Sequence, residues 1–125
     1  IENSNNTSLR PSFQILVYPV ISMRDSITHK DSQTQLLGPN PSPETIELFS
    51  NEMQVNENTP PAYLTHATDD RTVDVDNVVG YFEKLRHNRV PVEMHIYQKG
   101  GHGFVFRKPE WMDPLMKWLK ESKFL

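Results

Sequence analysis

Three six-residue apolar runs constrain this chain more than anything else in it: Phe13–Tyr18 (FQILVY), Ala62–Ala67 (AYLTHA) and Val92–Tyr97 (VEMHIY). Each has the length and the β-branched or aromatic content of a buried strand. Pro19 closes the first run, Pro60-Pro61 precede the second, and Pro91 precedes the third, which gives way to Gly100-Gly101. Helical spacing fills the intervals. Val75, Val78, Val79, Phe82 and Leu85 recur as one helix face between the second and third runs. Trp111, Met112, Leu115, Trp118 and Leu119 do so after the third, behind a first-turn Pro109. Between the first two runs, Asp31 or Ser32 is placed to cap a short helix ending at Leu37, with Gly38 as its stop. Ser42-Pro43-Glu44 then supplies an N-cap, a first-turn proline and a dipole-favoured acid for a helix reaching about Ser50.

The order strand, two small helices, strand, helix, strand, helix predicts an α/β fold with right-handed crossovers and parallel pairing. Three parallel strands with flanking helices make an incomplete sheet. The first strand is apolar on both faces and calls for a neighbour on its outer side, since a free edge of that kind invites association. The chain therefore reads either as part of a larger α/β domain or as one that forms a homo-oligomer through the edge strand 13–18. Residues 1–12 are polar, end in Arg10-Pro11 and read as a tail or linker, leaving 13–125 as the domain. The first residue is Ile1 rather than Met, which suggests a processed or truncated chain.

Composition narrows the function. A net charge of −3 argues against nucleic acid as a partner. The absence of cysteine removes disulfides, thiolate metal sites and a cysteine nucleophile. No apolar run approaches a membrane span, so no membrane partner is expected, and no signal peptide is visible. Most of the ten prolines lie between residues 11 and 61, as ordered loops require.

In open parallel sheets ligands gather at the carboxyl ends of the strands. Two such ends carry chemistry here. His66-Ala67-Thr68-Asp69-Asp70-Arg71-Thr72-Val73 follows the second run, and Gly100-Gly101-His102-Gly103-Phe104 follows the third. A carboxylate on one loop and a histidine on the next have the arrangement in which an acid orients a general-base imidazole and stabilises its cation. The glycines around His102 permit a tight, exposed loop. Plainer readings exist for each part taken alone: Asp-Asp-Arg as a capping turn with a surface ion pair, Gly-His-Gly as an ordinary turn. The other histidines lack such a setting. His66 reads as structural, His87 as a helix-end cation, His95 as a strand residue, and His29 as a loop residue near any substrate. They show no metal-ligand spacing, and neither a metal nor a cofactor is expected. Phe104 and Phe106 are candidates for a pocket lining, and Tyr18 and its neighbouring prolines for the pocket rim.

Four segments, FQILVYP at Phe13–Pro19, TPPAYLTHATDD at Thr59–Asp70, VPVEMHIY at Val90–Tyr97 and KGGHG at Lys99–Gly103, together resemble the C-terminal half of α/β-hydrolase esterases. The likeness is greatest to dienelactone-hydrolase-like and acetyl-xylan-esterase-like enzymes, a group with lipase-like members. Leu36-Leu37-Gly38 and Phe49-Ser50-Asn51-Glu52 resemble that group's insertion between two late strands. The resemblance covers the chain from about Arg10. It implies that the three runs are the sixth to eighth strands of the hydrolase sheet, that Asp69 is the triad acid with Asp70 as fallback, and that His102 is the base. It also implies a nucleophilic serine in a Gly-x-Ser-x-Gly elbow. No serine of this sequence has those flanking glycines.

On this reading the chain is part of a serine carboxylesterase that deacetylates xylan or related carbohydrate esters, with an oligosaccharide or small-molecule ester as substrate. The 125 residues alone are expected to be inert, because loss of a nucleophile costs many orders of magnitude in rate. The resemblance also implies a periplasmic or secreted setting. Three alternatives stand beside it: a fragment of a prolyl-oligopeptidase-type serine peptidase, which shares the late Asp-Asp and His-Gly pattern; a non-catalytic hydrolase-derived binding or dimerisation module; and an unrelated small α/β domain in which Asp69 and His102 never meet.

Overall fold

A computed structural model describes residues 10–125; residues 1–9 of the expected tail 1–12 lie outside the described residues. The three apolar runs form strands β1 (Gln14–Val17), β2 (Ala62–Ala67) and β3 (Val92–Tyr97), all parallel, in the order β1-β2-β3. The middle strand is the one whose sequence tolerates complete enclosure, and all six of its residues are buried.

Side-chain alternation divides β2 between two helices. Ala62 and Leu64 pack with Val78, Tyr81 and Leu85 of helix α3 (Asp76–His87), together with Ile21 and Val90. Tyr63 points to the opposite face and packs with Leu115, Trp118 and Leu119 of helix α4 (Met112–Glu121), flanked by Phe13 and Phe124. The result is a three-layer sandwich, in which each fully enclosed Leu or Val contributes about 1.5–3 kcal/mol. The outer strands are less well covered: Ile15 and Ile96 are each 37% exposed. Among the described residues β1 pairs only with β2.

The structure refines the starts of two helices. Helix α1 (Lys30–Leu37) starts earlier than the candidate caps Asp31 and Ser32 implied: His29, two residues before Asp31, occupies the N-cap position, its Nδ1 2.8 Å from Ser32 Oγ. Gly38 ends that helix at φ +85° and donates to Thr34. Helix α2 (Pro43–Phe49) is capped as expected, with Ser42 Oγ accepting from the Thr45 amide. At the C-terminal side, Pro109–Trp111 forms a separate 3₁₀ turn before α4 begins.

The segment after β1 has little regular structure, and side chains satisfy its backbone instead. Asn77, buried at the start of α3, accepts from the Ile21 and Ser22 amides and donates to the Ile27 and Asp74 carbonyls. Ser50 Oγ accepts from the Met23 amide, and Gln33 donates to the Met23 carbonyl. This pinning fixes where Tyr18, at the head of the segment, can sit. No helix among the described residues is long and apolar enough to cross a membrane.

Candidate active site

The ends of β2 and β3 are tied together one residue past Ala67. The Thr68 amide donates to the Tyr97 carbonyl (2.9 Å) and Thr68 Oγ1 donates to the Gln98 carbonyl (2.9 Å). The loops carrying Asp69-Asp70 and His102 therefore leave the sheet side by side, where a parallel sheet concentrates ligand-binding groups.

The turn after β2 sends the two adjacent carboxylates to different partners. Asp69 is exposed, and its Oδ1 accepts from the Gly100 (2.9 Å) and Gly101 (2.7 Å) amides of the opposite loop. The Asp70 side chain is fully buried. Its Oδ1 accepts from the Thr72 (2.8 Å) and Val73 (3.0 Å) amides, and its Oδ2 lies 2.9 Å from His102 Nδ1 and 3.1 Å from His66 Nε2. The structure thus brings His102 to Asp70, the fallback acid, and leaves Asp69 to hold the backbone of the His102 loop. Sequence could not separate the neighbours, because the direction of each side chain is set by the turn closed from the Asp70 amide to the Ala67 carbonyl.

Hydrogen-bond roles follow from the acceptors. An ionised carboxylate only accepts, so His102 carries its proton on Nδ1 and leaves Nε2 bare. His102 Nε2 has no protein partner among the described residues, and the side chain is 37% exposed. Burial pushes the Asp70 pKa up, but the Val73 and Thr72 amides and the His102 contact outweigh it, and the carboxyl is held below its ordinary range. Asp69 is also held low, chiefly by the Gly101 amide.

The His102 loop is rigidly supported. A Cβ on Gly100 would lie 2.6 Å from Phe104 Cβ, so only glycine lets the loop pass the buried Phe104 ring. Gly103, at φ +79°, turns the chain into a 3₁₀ turn over Phe104–Phe106. Arg107 Nη2 donates to the Gly100 (2.5 Å) and His102 (2.9 Å) carbonyls from the outside. The Tyr18 ring packs on the imidazole with centroids 4.5 Å apart, and the Phe104 ring meets Tyr18 edge-on. Tyr18 adopts φ +38°, a strained backbone for a non-glycine residue, immediately before Pro19.

Two residues read as bland from the sequence thus take part. His66, read as structural, touches Asp70; Tyr18, read as rim, touches His102. Arg107 carried no sequence signal at all. The remaining histidines stay away from the pair: His29 sits at the N-cap position of α1, His87 ends α3, and His95 pairs with Glu93 Oε1 at 2.7 Å and stacks on Tyr63. Phe104 is core and Phe106 is 87% exposed. Among the described residues no group of three or more His, Asp or Glu side chains is placed to hold a metal ion. A cavity of about 380 Å³ lies beside β1 on the α3 face, lined by Leu16, Ile21, Val55 and Tyr81 among others; neither Asp70 nor His102 borders it.

Comparison with known proteins places this geometry in context. The model of the prolyl oligopeptidase family matches residues 12–123. An acetylxylan esterase of Xylanibacter ruminicola is 36% identical over 121 residues, which is 90% of this chain and 25% of that protein. Endo-1,4-beta-xylanase B of Butyrivibrio fibrisolvens is 37% identical over 102 residues, 82% of this chain and 16% of that protein. The crystal structure of an acetyl ester-xyloside bifunctional hydrolase from Caldicellulosiruptor lactoaceticus superimposes with a TM-score of 0.91 at 34% identity, over 96% of this chain and 46% of that one. The chain thus spans a quarter or less of the length of these curated relatives and about half of the solved chain.

Proposed function

Because the chain belongs to the prolyl oligopeptidase family, and its three-strand α/β architecture superimposes on part of a solved hydrolase, we propose that Asp70 and His102 are the acid and base of a serine esterase that removes acetyl groups from xylan or related carbohydrate esters. The observation that carries this reading is the 2.9 Å contact between His102 Nδ1 and the buried Asp70 carboxylate, with Nε2 left bare on a side chain that is partly exposed. In this role His102 Nε2 takes the proton of a serine hydroxyl as that oxygen attacks the ester carbonyl. Asp70 holds the ring and stabilises the imidazolium, which then protonates the departing sugar alkoxide. Water then attacks the acyl carbonyl as His102 Nε2 takes its proton, and the imidazolium returns that proton to the serine oxygen as acetate leaves. Asp69 keeps the loop in place through the Gly100 and Gly101 amides. The attacking serine comes from outside the described residues, since none of the serines in this sequence stands in a Gly-x-Ser-x-Gly elbow.

The choice of ester over peptide rests on the names of the relatives at 36% and 34% identity, both of which specify acetyl ester cleavage. The test is a chimaera in which residues 12–123 replace the matching part of the Caldicellulosiruptor hydrolase. Expected are hydrolysis of p-nitrophenyl acetate and release of acetate from acetylated xylan, both lost in His102→Ala and Asp70→Asn and largely kept in Asp69→Asn. A folded chimaera that loses activity in Asp69→Asn but keeps it in Asp70→Asn overturns the assignment of the acid. Cleavage of a prolyl peptide substrate without cleavage of acetyl esters overturns the choice of substrate.

A further inference from the structure

His66 is the penultimate residue of β2, four residues before Asp70, and is fully buried. Its Nε2 lies 3.0 Å from the Val73 carbonyl and 3.1 Å from Asp70 Oδ2. Both are acceptors, so Nε2 carries the proton and forks it between them. Nδ1 is then bare, and it is buried without any partner. An imidazole used only to fill space would leave that nitrogen as a pure cost, which an apolar side chain would avoid. What the position gains from histidine is the one donor aimed at the oxygen that also receives His102.

We infer that His66 is a positioning residue for the proposed acid–base pair: a neutral donor that turns Asp70 Oδ2 toward His102 without taking up its charge. The inference rests on the reading of Asp70 and His102 as that pair. The distinction between a neutral and a charged donor carries the argument. A lysine or arginine at this place would compete for the carboxylate with the imidazolium that forms on His102, weakening the stabilisation the acid supplies. A neutral N–H fixes the rotation of the carboxylate while leaving its charge to His102. Oδ1 is already held by the Thr72 and Val73 amides, so His66 completes a set in which every partner of Asp70 other than His102 is neutral. Burial also pushes the His66 pKa down, against the pull of the Val73 carbonyl and the Asp70 charge, which favours the neutral form that the hydrogen-bond geometry requires.

Nuclear magnetic resonance of the full 125-residue chain tests this without any need for turnover. Imidazole ¹⁵N spectra are expected to show His66 as one neutral tautomer, protonated on Nε2, across about pH 5–8. The Asp70 carboxyl, followed by ¹³C titration, is expected to move upward by about one pH unit in His66→Leu, the worth of a shared hydrogen bond to a charged group. His66→Gln, which keeps a donor near the same place, is expected to return most of that shift, a rescue that a merely space-filling role would not give. A His66 that titrates in this range, or that carries its proton on Nδ1, overturns the inference even if His66→Leu does not fold. An unmoved Asp70 midpoint in folded His66→Leu, alongside His102 resonances that shift in Asp70→Asn, overturns the role of His66 alone. His102 resonances unmoved by Asp70→Asn overturn the pair, and this inference with it.

Discussion

Asp70→Asn is the substitution that most directly probes how the site is built. The wild-type carboxylate is fully buried and accepts four hydrogen bonds, two on each oxygen. An asparagine can keep its carbonyl on the Thr72 and Val73 amides, but its NH₂ then faces two imidazole N–H groups. His102 escapes by changing tautomer. His66 does not, because its Nε2 proton is also held by Val73. One charge-assisted bond is lost and one buried donor is left facing another, which together cost about 3 kcal/mol. In a domain of this size that lowers Tm by about 10 °C. Because the folded-state pKa of Asp70 is lowered, its stabilisation is present above the unfolded carboxyl pKa of about 3.9 and is lost as pH falls through the folded value. The gap between wild type and Asp70→Asn in urea unfolding is therefore full at pH 7 and closes below about pH 4. Asp69→Asn, altering an exposed carboxylate whose partners water can replace, should change stability much less. Equal or greater loss in Asp69→Asn, or a gap that stays constant into strong acid, would refute the picture of Asp70 as the buried hub.

Other expectations follow from single features. Gly100→Ala should destabilise by about 2 kcal/mol in thermal unfolding, because its Cβ would lie 2.6 Å from Phe104 Cβ, whereas Gly80→Ala, in open space within α3, should stabilise by about 0.5–1 kcal/mol. Asn77→Ala strands the Ile21 and Ser22 amides in the interior and should cost about 3 kcal/mol, with faster hydrogen exchange at those two amides as its local signature. The 125-residue chain alone should hydrolyse p-nitrophenyl acetate no faster than its His102→Ala variant, and a clear excess would mean that a nucleophile lies within it. If the open edge of β1 drives association, sedimentation at high concentration shows a dimer that Ile15→Lys weakens, and a strictly monomeric profile argues against it.

The strands and the two long helices were legible in the sequence because burial leaves a period. β2 had to be enclosed on both faces, and the alternation of Ala62, Tyr63 and Leu64 between two apolar helices follows from that requirement alone. Ser42-Pro43 marked a helix start because its side chain bonds locally, to an amide three residues away. The start of α1 was less legible, since its N-cap residue, His29, makes no side-chain bond to the helix backbone and bonds instead to the Ser32 side chain.

At the candidate site, the sequence by itself determined that a carboxylate loop and a glycine-flanked histidine leave the sheet from successive strands on the same side. That information is local: run length, order, and turn residues. Only the tertiary structure decided which carboxylate meets the histidine, because Asp69 and Asp70 differ by one step through a turn that points one side chain outward and buries the other. It likewise decided that His66, Tyr18 and Arg107 surround the pair. Their distances to it depend on the register between β2 and β3 and on the pinned segment after β1, and those are contacts between residues far apart in the chain that no local pattern encodes.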